Sequence, residues 1–193
     1  MNKLYIFDMG GVVTYNANVF PSIINYLGIT EKEFMIFAEE DLEKFLKGRI
    51  TSEEFWNKFS FRYGKKVKEE LFSKFFHPSL NKEMIDILKQ LKGYSRVVCG
   101  TNTIDPHYNH HLKHGDYNIF DTVYASNVIG LLKPDPDFYW YILGKEKVEP
   151  EQAIFIDDTK ENVLSAQKIG IKSILFTSSD SLRLQIKTLS LCE

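Results

Sequence analysis

One ten-residue stretch, LYIFDMGGVV at Leu4–Val13, decides how the sequence folds. The apolar run Leu4–Phe7 is short, and it is followed at once by the carboxylate of Asp8 and then by two glycines. A short apolar run that ends in glycine-rich punctuation predicts a buried β-strand. Ligands of open parallel sheets bind beyond the carboxyl ends of the strands, so Asp8 is predicted to face a ligand crevice.

Further along the chain, apolar runs of the same kind alternate with helical patterns. This alternation predicts a parallel sheet that is covered by helices on both faces. We therefore expect an α/β fold with a doubly wound, Rossmann-like parallel sheet. The predicted strands after the first are Val97–Cys99, Thr122–Tyr124, Ala153–Ile156 and, with a weaker pattern, Ser173–Phe176.

The segment from Asn18 to Pro78 breaks this alternation. Its apolar residues, many of them phenylalanine, recur at helical spacing, and no convincing strand interrupts them. Thr51 and Glu54 have the spacing of a capping box, which predicts the start of a helix. We interpret residues 18–78 as a small helical cap, inserted into an α/β core that residues 1–17 and 79–193 form.

Composition and charge exclude several classes of function. The chain has 193 residues and a net charge of −2, and it lacks the Lys/Arg-rich run that would hold a nucleic-acid backbone. Its longest apolar runs are strand-sized, and no secretory signal follows Met1. Cys99 and Cys192 form neither a disulfide framework nor a zinc-binding spacing. These features predict a cytoplasmic protein that binds neither nucleic acid nor membranes.

Polar side chains stand directly after the ends of three predicted strands. Asp8 follows the first strand, Thr101 and Asn102 follow the second, and Asp157 and Asp158 follow the fourth. The carboxyl ends of parallel strands line one crevice, so residues that are far apart in sequence should meet there. The sequence therefore predicts a single polar site at one edge of the sheet.

The acidic groups of this site need a cation. Asp8, Asp157 and Asp158 would repel one another, and like charges a few Å apart keep one carboxyl group protonated. Mg²⁺ takes oxygen ligands and commonly combines one or two carboxylates with a substrate phosphate. Lys133, in a proline-rich loop after the third strand, would add positive charge near the phosphate oxygens. The pattern indicates an Mg²⁺ site at which Asp8 acts as a covalent nucleophile.

Together, these clusters resemble the four motifs of the haloacid dehalogenase superfamily, in the right order. The resemblance covers essentially the whole chain, and the helical insertion is similar to the family's type-one cap. Any single motif has little specificity, but four in order at compatible spacing are a strong signal. The matching segments are Phe7–Val13, Thr101–Asn102, Lys133–Pro136 and Phe155–Val163.

The resemblance implies a Mg²⁺-dependent phosphatase of the subfamily IA type, which hydrolyses a small phosphate monoester. Asp8 would attack phosphorus to form an aspartyl-phosphate, Lys133 would assist as a catalytic cation, and Asn162 would support the fourth-motif loop. The implied metal contacts are Asp8, the backbone carbonyl of Gly10, Asp158 and, through water, Asp157. The implied phosphate contacts are Thr101, Asn102 and Lys133.

Gly10 departs from the common pattern of the family. Most phosphatases that the motif resembles carry an aspartate there, which protonates the leaving group and later activates water. Such general acid–base help is worth about 10² to 10⁴ in rate, and glycine cannot supply it. The form F-D-x-G-x-V is similar instead to a subgroup of sugar-1-phosphate phosphatases. His107 is the nearest candidate replacement, although a solvated helix surface is the ordinary interpretation of its histidine-rich segment.

Two alternatives to a phosphatase stay open. A 2-haloacid dehalogenase would use Asp8 on carbon without a metal, but it resembles a pattern with Ser and Asn where this chain has Asp157 and Asp158. A phospho-ligand-binding module on a weakened hydrolase scaffold would be consistent with Gly10.

The resemblance implies a small phosphorylated metabolite as the partner, and the similar subgroup makes a sugar phosphate the candidate. In the insertion, Lys47 and Arg49 are candidates to contact a second anionic group of such a substrate. A solvated basic loop is the more usual interpretation of these two side chains.

Overall fold

The structure is a computed structural model that describes residues 3–191. Its strands are β1 (Leu4–Phe7), β2 (Thr14–Tyr15), β3 (Ser79–Leu80), β4 (Arg96–Thr101), β5 (Thr122–Ala125), β6 (Ala153–Asp157) and β7 (Lys172–Leu175). Its helices are α1 (Phe20–Leu27), α2 (Glu31–Ala38), α3 (Asp41–Leu46), α4 (Ser52–Tyr63), α5 (Leu71–Phe75), α6 (Lys82–Lys92), α7 (Asp105–His114), α8 (Ser126–Ile129), α9 (Pro136–Glu146), α10 (Lys160–Lys168) and α11 (Ser179–Leu191).

Five parallel strands form the central sheet in the order β5-β4-β1-β6-β7. β1 lies in the middle, where Phe7 is level with Cys99 of β4 and with Ile156 of β6. The chain builds one half of the sheet from β1 outward and then crosses over to build the other half. The predicted doubly wound α/β fold is confirmed, and the five predicted strands are present with ends that differ by one or two residues.

Alternate residues of β1 point to opposite faces of the sheet, because a strand has a period of two residues. Tyr5 and Phe7 belong to an apolar cluster that α6 and α11 complete, whereas Leu4 and Ile6 belong to a second cluster that α9 and α10 complete. All four side chains of β1 are therefore buried. This explains why the sequence shows a continuous apolar run rather than an alternating one.

Helices α1–α5 form the helical insertion, which lies between β2 and β3. They pack around an apolar core of their own, which confirms that the helical spacing of the sequence marks buried faces. The division into a core of residues 1–17 and 79–193 and a cap of residues 18–78 stays a prediction. The phenylalanines of the insertion with no exposed surface are Phe34, Phe45, Phe55, Phe59 and Phe72.

A short antiparallel ribbon joins the two ends of the helical insertion. Thr14 of β2 pairs with Leu80 of β3, and Tyr15 pairs with Ser79. The sequence did not predict this ribbon, because two-residue strands leave no periodic pattern. The ribbon fixes the chain on either side of the insertion, close to the loop that follows β1.

Helix α4 begins at the predicted capping box. The backbone N–H of Glu54 donates to Thr51 Oγ1 at 3.2 Å, and the backbone N–H of Thr51 donates to Glu54 Oε2 at 2.7 Å. Thr30 and Glu33 form the same motif at the start of α2. These boxes satisfy N–H groups that the first turn of a helix leaves without partners.

The described residues contain no helix with the length and apolar character needed to cross a membrane. Cys99 is a buried free thiol in β4, while Cys192 lies outside the described residues. The cytoplasmic location stays a prediction.

Candidate active site

The acidic side chains that the sequence predicted to converge do meet at the carboxyl end of the sheet. Asp8 follows β1, Asp157 is the last residue of β6, and Asp158 follows it. Each offers a carboxylate oxygen, and these three oxygens lie within 4.8 Å of one another. The convergence follows from the topology, because β1 and β6 are adjacent parallel strands.

Lys133 connects two of these carboxylates from the buried side. Its Nζ lies 2.8 Å from Asp8 Oδ1 and 2.7 Å from Asp157 Oδ2, and its side chain is only 1% exposed. The side-chain amide group of Asn102 makes two hydrogen bonds with the backbone of the same lysine. The Asn102 Nδ2 group donates to the Lys133 carbonyl at 2.8 Å, and the Lys133 N–H donates to Asn102 Oδ1 at 2.9 Å.

Asp157 is fully buried and both of its carboxylate oxygens are engaged. Oδ1 accepts from the Thr159 N–H at 2.8 Å and from Asn162 Nδ2 at 3.1 Å, while Oδ2 accepts from Lys133 and Asn162. This carboxylate therefore orients Lys133 and the start of α10. The position of Asn162 agrees with its expected support of the loop after β6.

Asp158 differs from its neighbour because it is exposed and lines the cavity that Asp8 also lines. Its carboxylate lies directly over Gly11, where a Cβ atom would stand 2.0 Å from Asp158 Oδ2. Gly11 also has a φ of +78°, a conformation that glycine adopts without strain. The second glycine of the opening motif is thus the residue that lets Asp158 approach the Asp8 loop.

We expect Gly11→Ala to displace Asp158 and to lower any metal-dependent activity by about 100-fold, because small misplacements at a reacting centre have effects of this size. Gly64→Ala is the matched control, since Gly64 has a φ of +76° and nothing within 4 Å of an added Cβ. Both variants should lose about 1–2 kcal/mol of stability from the left-handed backbone. Thermal unfolding and a Mg²⁺ titration of activity measure the two effects, and equal activity in both variants would contradict this role of Gly11.

The charges of the site are unbalanced. Three carboxylates and one ammonium group leave a formal charge of −2. Burial raises the pKa of Asp8 from 3.8 to about 6, with Lys133 lowering it and Asp157 raising it further. Although Asp158 is exposed, its partial desolvation at the rim of the site and then the charge of Asp157 raise its pKa. A divalent cation between Asp8 and Asp158 would balance the charge, and oxygen donors suit Mg²⁺.

The open part of the site is a cavity of about 680 Å³ beside Asp8. Thr101 and Asn102 line it, as predicted from their position after β4. The lining residues between Tyr15 and Phe20 were not predicted, because they lie in β2 and in the irregular loop and first helical turn that lead into the insertion. The full lining is Asp8, Gly10, Gly11, Tyr15, Asn16, Ala17, Asn18, Phe20, Thr101, Asn102, Asp158 and Thr159.

His107, the candidate replacement for the missing acid–base group, does not line the cavity beside Asp8. Its ring stacks on Phe76 at a centroid distance of 3.7 Å, and its Nε2 lies 3.3 Å from the carbonyl oxygen of Phe72. Burial lowers the pKa of His107 to about 4, so the ring is neutral at physiological pH. The histidine-rich face of α7 is not simply solvated either, because His111 is buried against Asp116.

The two basic residues predicted as candidates in the insertion, Lys47 and Arg49, have surroundings other than this cavity. The Lys47 ammonium group is paired with Glu43 at 2.5 Å within α3 and its C-terminal turn. Gly48 approaches the backbone of α8 so closely that an added Cβ would lie 2.0 Å from the Asn127 carbonyl oxygen. Neither Lys47 nor Arg49 lines the cavity beside Asp8.

The fold and the acidic site together define a class of enzyme, and comparisons with known proteins identify it. Residues 5–176 match the model of the haloacid dehalogenase-like hydrolase family. The chain therefore belongs to the haloacid dehalogenase-like hydrolases, as the four sequence motifs implied.

Individual relatives agree with this assignment. The chain is 29% identical over 199 residues to the sesquiterpene phosphatase astK of Aspergillus oryzae, a match that covers 98% of the chain and 97% of that protein. It is 30% identical over 154 residues to the drimenol cyclase drtB of Aspergillus calidoustus, covering 72% of the chain but only 28% of that protein.

A solved structure has the same fold. It is a haloacid dehalogenase family enzyme of Bacteroides thetaiotaomicron in complex with magnesium and inorganic phosphate. The TM-score is 0.75 and the sequence identity 24%, with 92% of this chain and 95% of that chain covered.

Proposed function

We propose that this protein is a Mg²⁺-dependent phosphatase that hydrolyses a small phosphate monoester through an aspartyl-phosphate on Asp8. The observation that carries the proposal is the asymmetry of the acidic cluster. Lys133 and Asn162 satisfy Asp157 on the buried side, whereas Asp8 and Asp158 both face the open cavity. The cavity therefore offers a nucleophilic carboxylate next to a second carboxylate that is available for a cation.

The residues present fit a magnesium ion. Asp8, Asp158 and the backbone carbonyl of Gly10 would hold it. Asp157 would contribute indirectly, either through a water molecule bound to the ion or by orienting Lys133. When bound, the ion would neutralise charge on the phosphate oxygens and on the two carboxylates. The related bacterial enzyme that was solved with magnesium and inorganic phosphate supports this choice of ion.

In the proposed reaction, a carboxylate oxygen of Asp8 forms a bond to phosphorus while the bond from phosphorus to the ester oxygen breaks. The alcohol leaves with a proton from solvent, and a water molecule then attacks phosphorus to free Asp8 and inorganic phosphate. Lys133 holds Asp8 in its ionised form and faces the developing charge. Thr101 is proposed to donate to a phosphate oxygen, as is the second N–H of the Asn102 amide group.

The helical insertion is proposed to act as a cap that covers the cavity and excludes water from the leaving-group side. Gly10 supplies no proton to the leaving group, so substrates with good leaving groups should react fastest. The proposed partner is a small phosphorylated metabolite in the cytoplasm. Two relatives point to different classes of metabolite, since one is a sesquiterpene phosphatase and the other is a phosphoglycolate phosphatase.

The test is phosphate release from a panel of phosphate monoesters, with Mg²⁺ and with a chelator. The panel includes sugar phosphates, which the F-D-x-G-x-V motif suggests, and aryl phosphates with good leaving groups. We expect release that depends on Mg²⁺. Halide release from a 2-haloacid in the presence of the chelator would instead support a dehalogenase, and tight binding of phosphate esters without turnover would support a binding module.

A further inference from the structure

An apolar groove opens beside the cavity that contains Asp8. It has a volume of about 720 Å³, which lies within the range of small-molecule sites. Asn18 and Phe20 line both the groove and the cavity, so the two spaces are adjacent. The groove is lined by Asn18, Phe20, Pro21, Ile24, Asn25, Ile29, Glu31, Phe34, Met35 and Leu42.

The boundary between the two spaces is held by aromatic packing. The Phe20 ring lies edge-on to Phe34 at 5.5 Å and to Phe72 at 6.3 Å, and both of these rings are fully buried. At the outer end of the groove, Met35 is 50% exposed. Met35 and the aromatic ring of Phe20 thus form an apolar surface, and covering this surface with an apolar ligand lowers the free energy.

The charges of the groove lining disfavour a second anionic group on the ligand. Among the described residues, no lysine or arginine lines either the groove or the cavity. The one charged side chain of the groove lining is Glu31, which would repel an anion. Of the two basic residues predicted as candidates, Lys47 is paired with Glu43, and Arg49 lines neither space.

We propose that this groove binds the organic part of the substrate, and that this part is apolar and uncharged. This rests on the proposed function, because the phosphate group at Asp8 is what places the organic part in the groove. Seven of the ten lining residues are aliphatic or aromatic, and Asn18, Asn25 and Glu31 are the polar ones. A sugar would bring most of its hydroxyl groups against the apolar residues, where they would lose hydrogen bonds to water. An alkyl or aryl group has no such hydrogen bonds to lose, and each methylene group that becomes fully buried should raise the binding constant about fourfold.

The experiment compares aryl phosphates whose leaving groups are matched. Phenyl, 4-butylphenyl and 4-hexylphenyl phosphate differ in apolar length but hardly in leaving-group pKa, and glucose 6-phosphate is the polar comparison. With Mg²⁺ and below the concentrations at which micelles form, kcat/KM for 4-hexylphenyl phosphate should exceed that for phenyl phosphate by about tenfold or more. Glucose 6-phosphate should also be a poor substrate, but its alkoxide is a poorer leaving group. The comparison within the aryl series is therefore the one that tests the groove.

Two neighbouring variants locate the effect. Met35→Glu places a charge in the groove and should lower the hexylphenyl-to-phenyl ratio by about tenfold. Ile36→Glu is the matched control, since Ile36 lies on the same helix, is 54% exposed and does not line the groove. It should leave the ratio unchanged. Both positions are at the surface, so neither change should prevent folding.

The outcomes separate this inference from the proposed function. Turnover that is equal across chain lengths, or fastest with glucose 6-phosphate, would overturn the apolar groove and leave the phosphatase intact. No turnover of any ester would overturn the phosphatase, and calorimetric binding of 4-hexylphenyl against phenyl phosphate to Asp8→Asn would then test the groove alone. Light scattering that shows Met35→Glu dissociating a dimer, with an unchanged ratio, would assign the groove to a second copy of the chain.

Discussion

Asp8→Asn should abolish Mg²⁺-dependent phosphate release, with a loss of at least about 1,000-fold in kcat. The amide group is a poor nucleophile, and removal of a covalent nucleophile has effects of this size or larger. The variant keeps the shape of the side chain and the acceptor oxygen that faces Lys133. Steady-state kinetics on an aryl phosphate measure the loss, and substantial turnover by the variant would defeat the assignment of Asp8.

The same variant should remain folded, and this makes the kinetic result interpretable. Burial raises the pKa of Asp8 in the folded protein, so ionised Asp8 destabilises the fold at every pH above its unfolded value near 3.8. Removing that charge should leave the melting temperature of the metal-free protein at or above that of the parent. A marked fall in melting temperature at neutral pH would contradict this electrostatic description of the site.

Lys133→Met should be the most destabilising single change at the site. Asp157 is fully buried, and its Oδ2 loses its ammonium partner in the variant. Breaking a buried ion pair in this way costs about 3–5 kcal/mol, because it leaves an uncompensated buried charge. The melting temperature should fall by about 10 °C in a chain of this length, and activity should be lost. Calorimetry or denaturant unfolding gives the stability change.

Two controls bracket this result. The double variant Lys133→Met/Asp157→Asn should regain part of the stability, because it removes the unpaired charge, but it should stay inactive. Lys74→Met removes a lysine that pairs with Glu69 at the surface, where ion pairs contribute about 0–1 kcal/mol. If Lys133→Met were no more destabilising than Lys74→Met, the bridging role of Lys133 would be wrong.

The parts of the fold that the sequence predicted are those with a strong local pattern: an apolar run, a helical spacing or a capping motif. Strand β1 was predictable because all four of its side chains are buried, and α4 because Thr51 and Glu54 form a capping box. The β2–β3 ribbon could not be predicted, since its two-residue strands show no period. Residues that follow strands, such as Asp8 and Asp158, were predictable as neighbours because parallel topology fixes where strand ends meet.

The sequence did not predict the side-chain contacts at the site. Asn102 holds the backbone of Lys133, and Asp157 is enclosed by hydrogen bonds while Asp158 faces the cavity. These contacts depend on loop conformations, and loops have no periodic pattern in the sequence. His107 was close to the site along the chain but is turned against Phe76 of the insertion. Its direction was set by aromatic packing between elements that are distant in sequence.

The central claim is that Asp8 accepts the phosphoryl group in a reaction that requires a divalent cation, which Asp8 and Asp158 would hold. Rapid acid quenching of the protein during turnover of a ³²P-labelled aryl phosphate, with peptide mapping, tests this most directly. We predict hydroxylamine-labile label on the peptide that contains Asp8, present with Mg²⁺ and absent with a chelator or in Asp8→Asn. Label on another residue, or Mg²⁺-independent turnover that leaves Asp8 unmodified at every quench time, would contradict the claim.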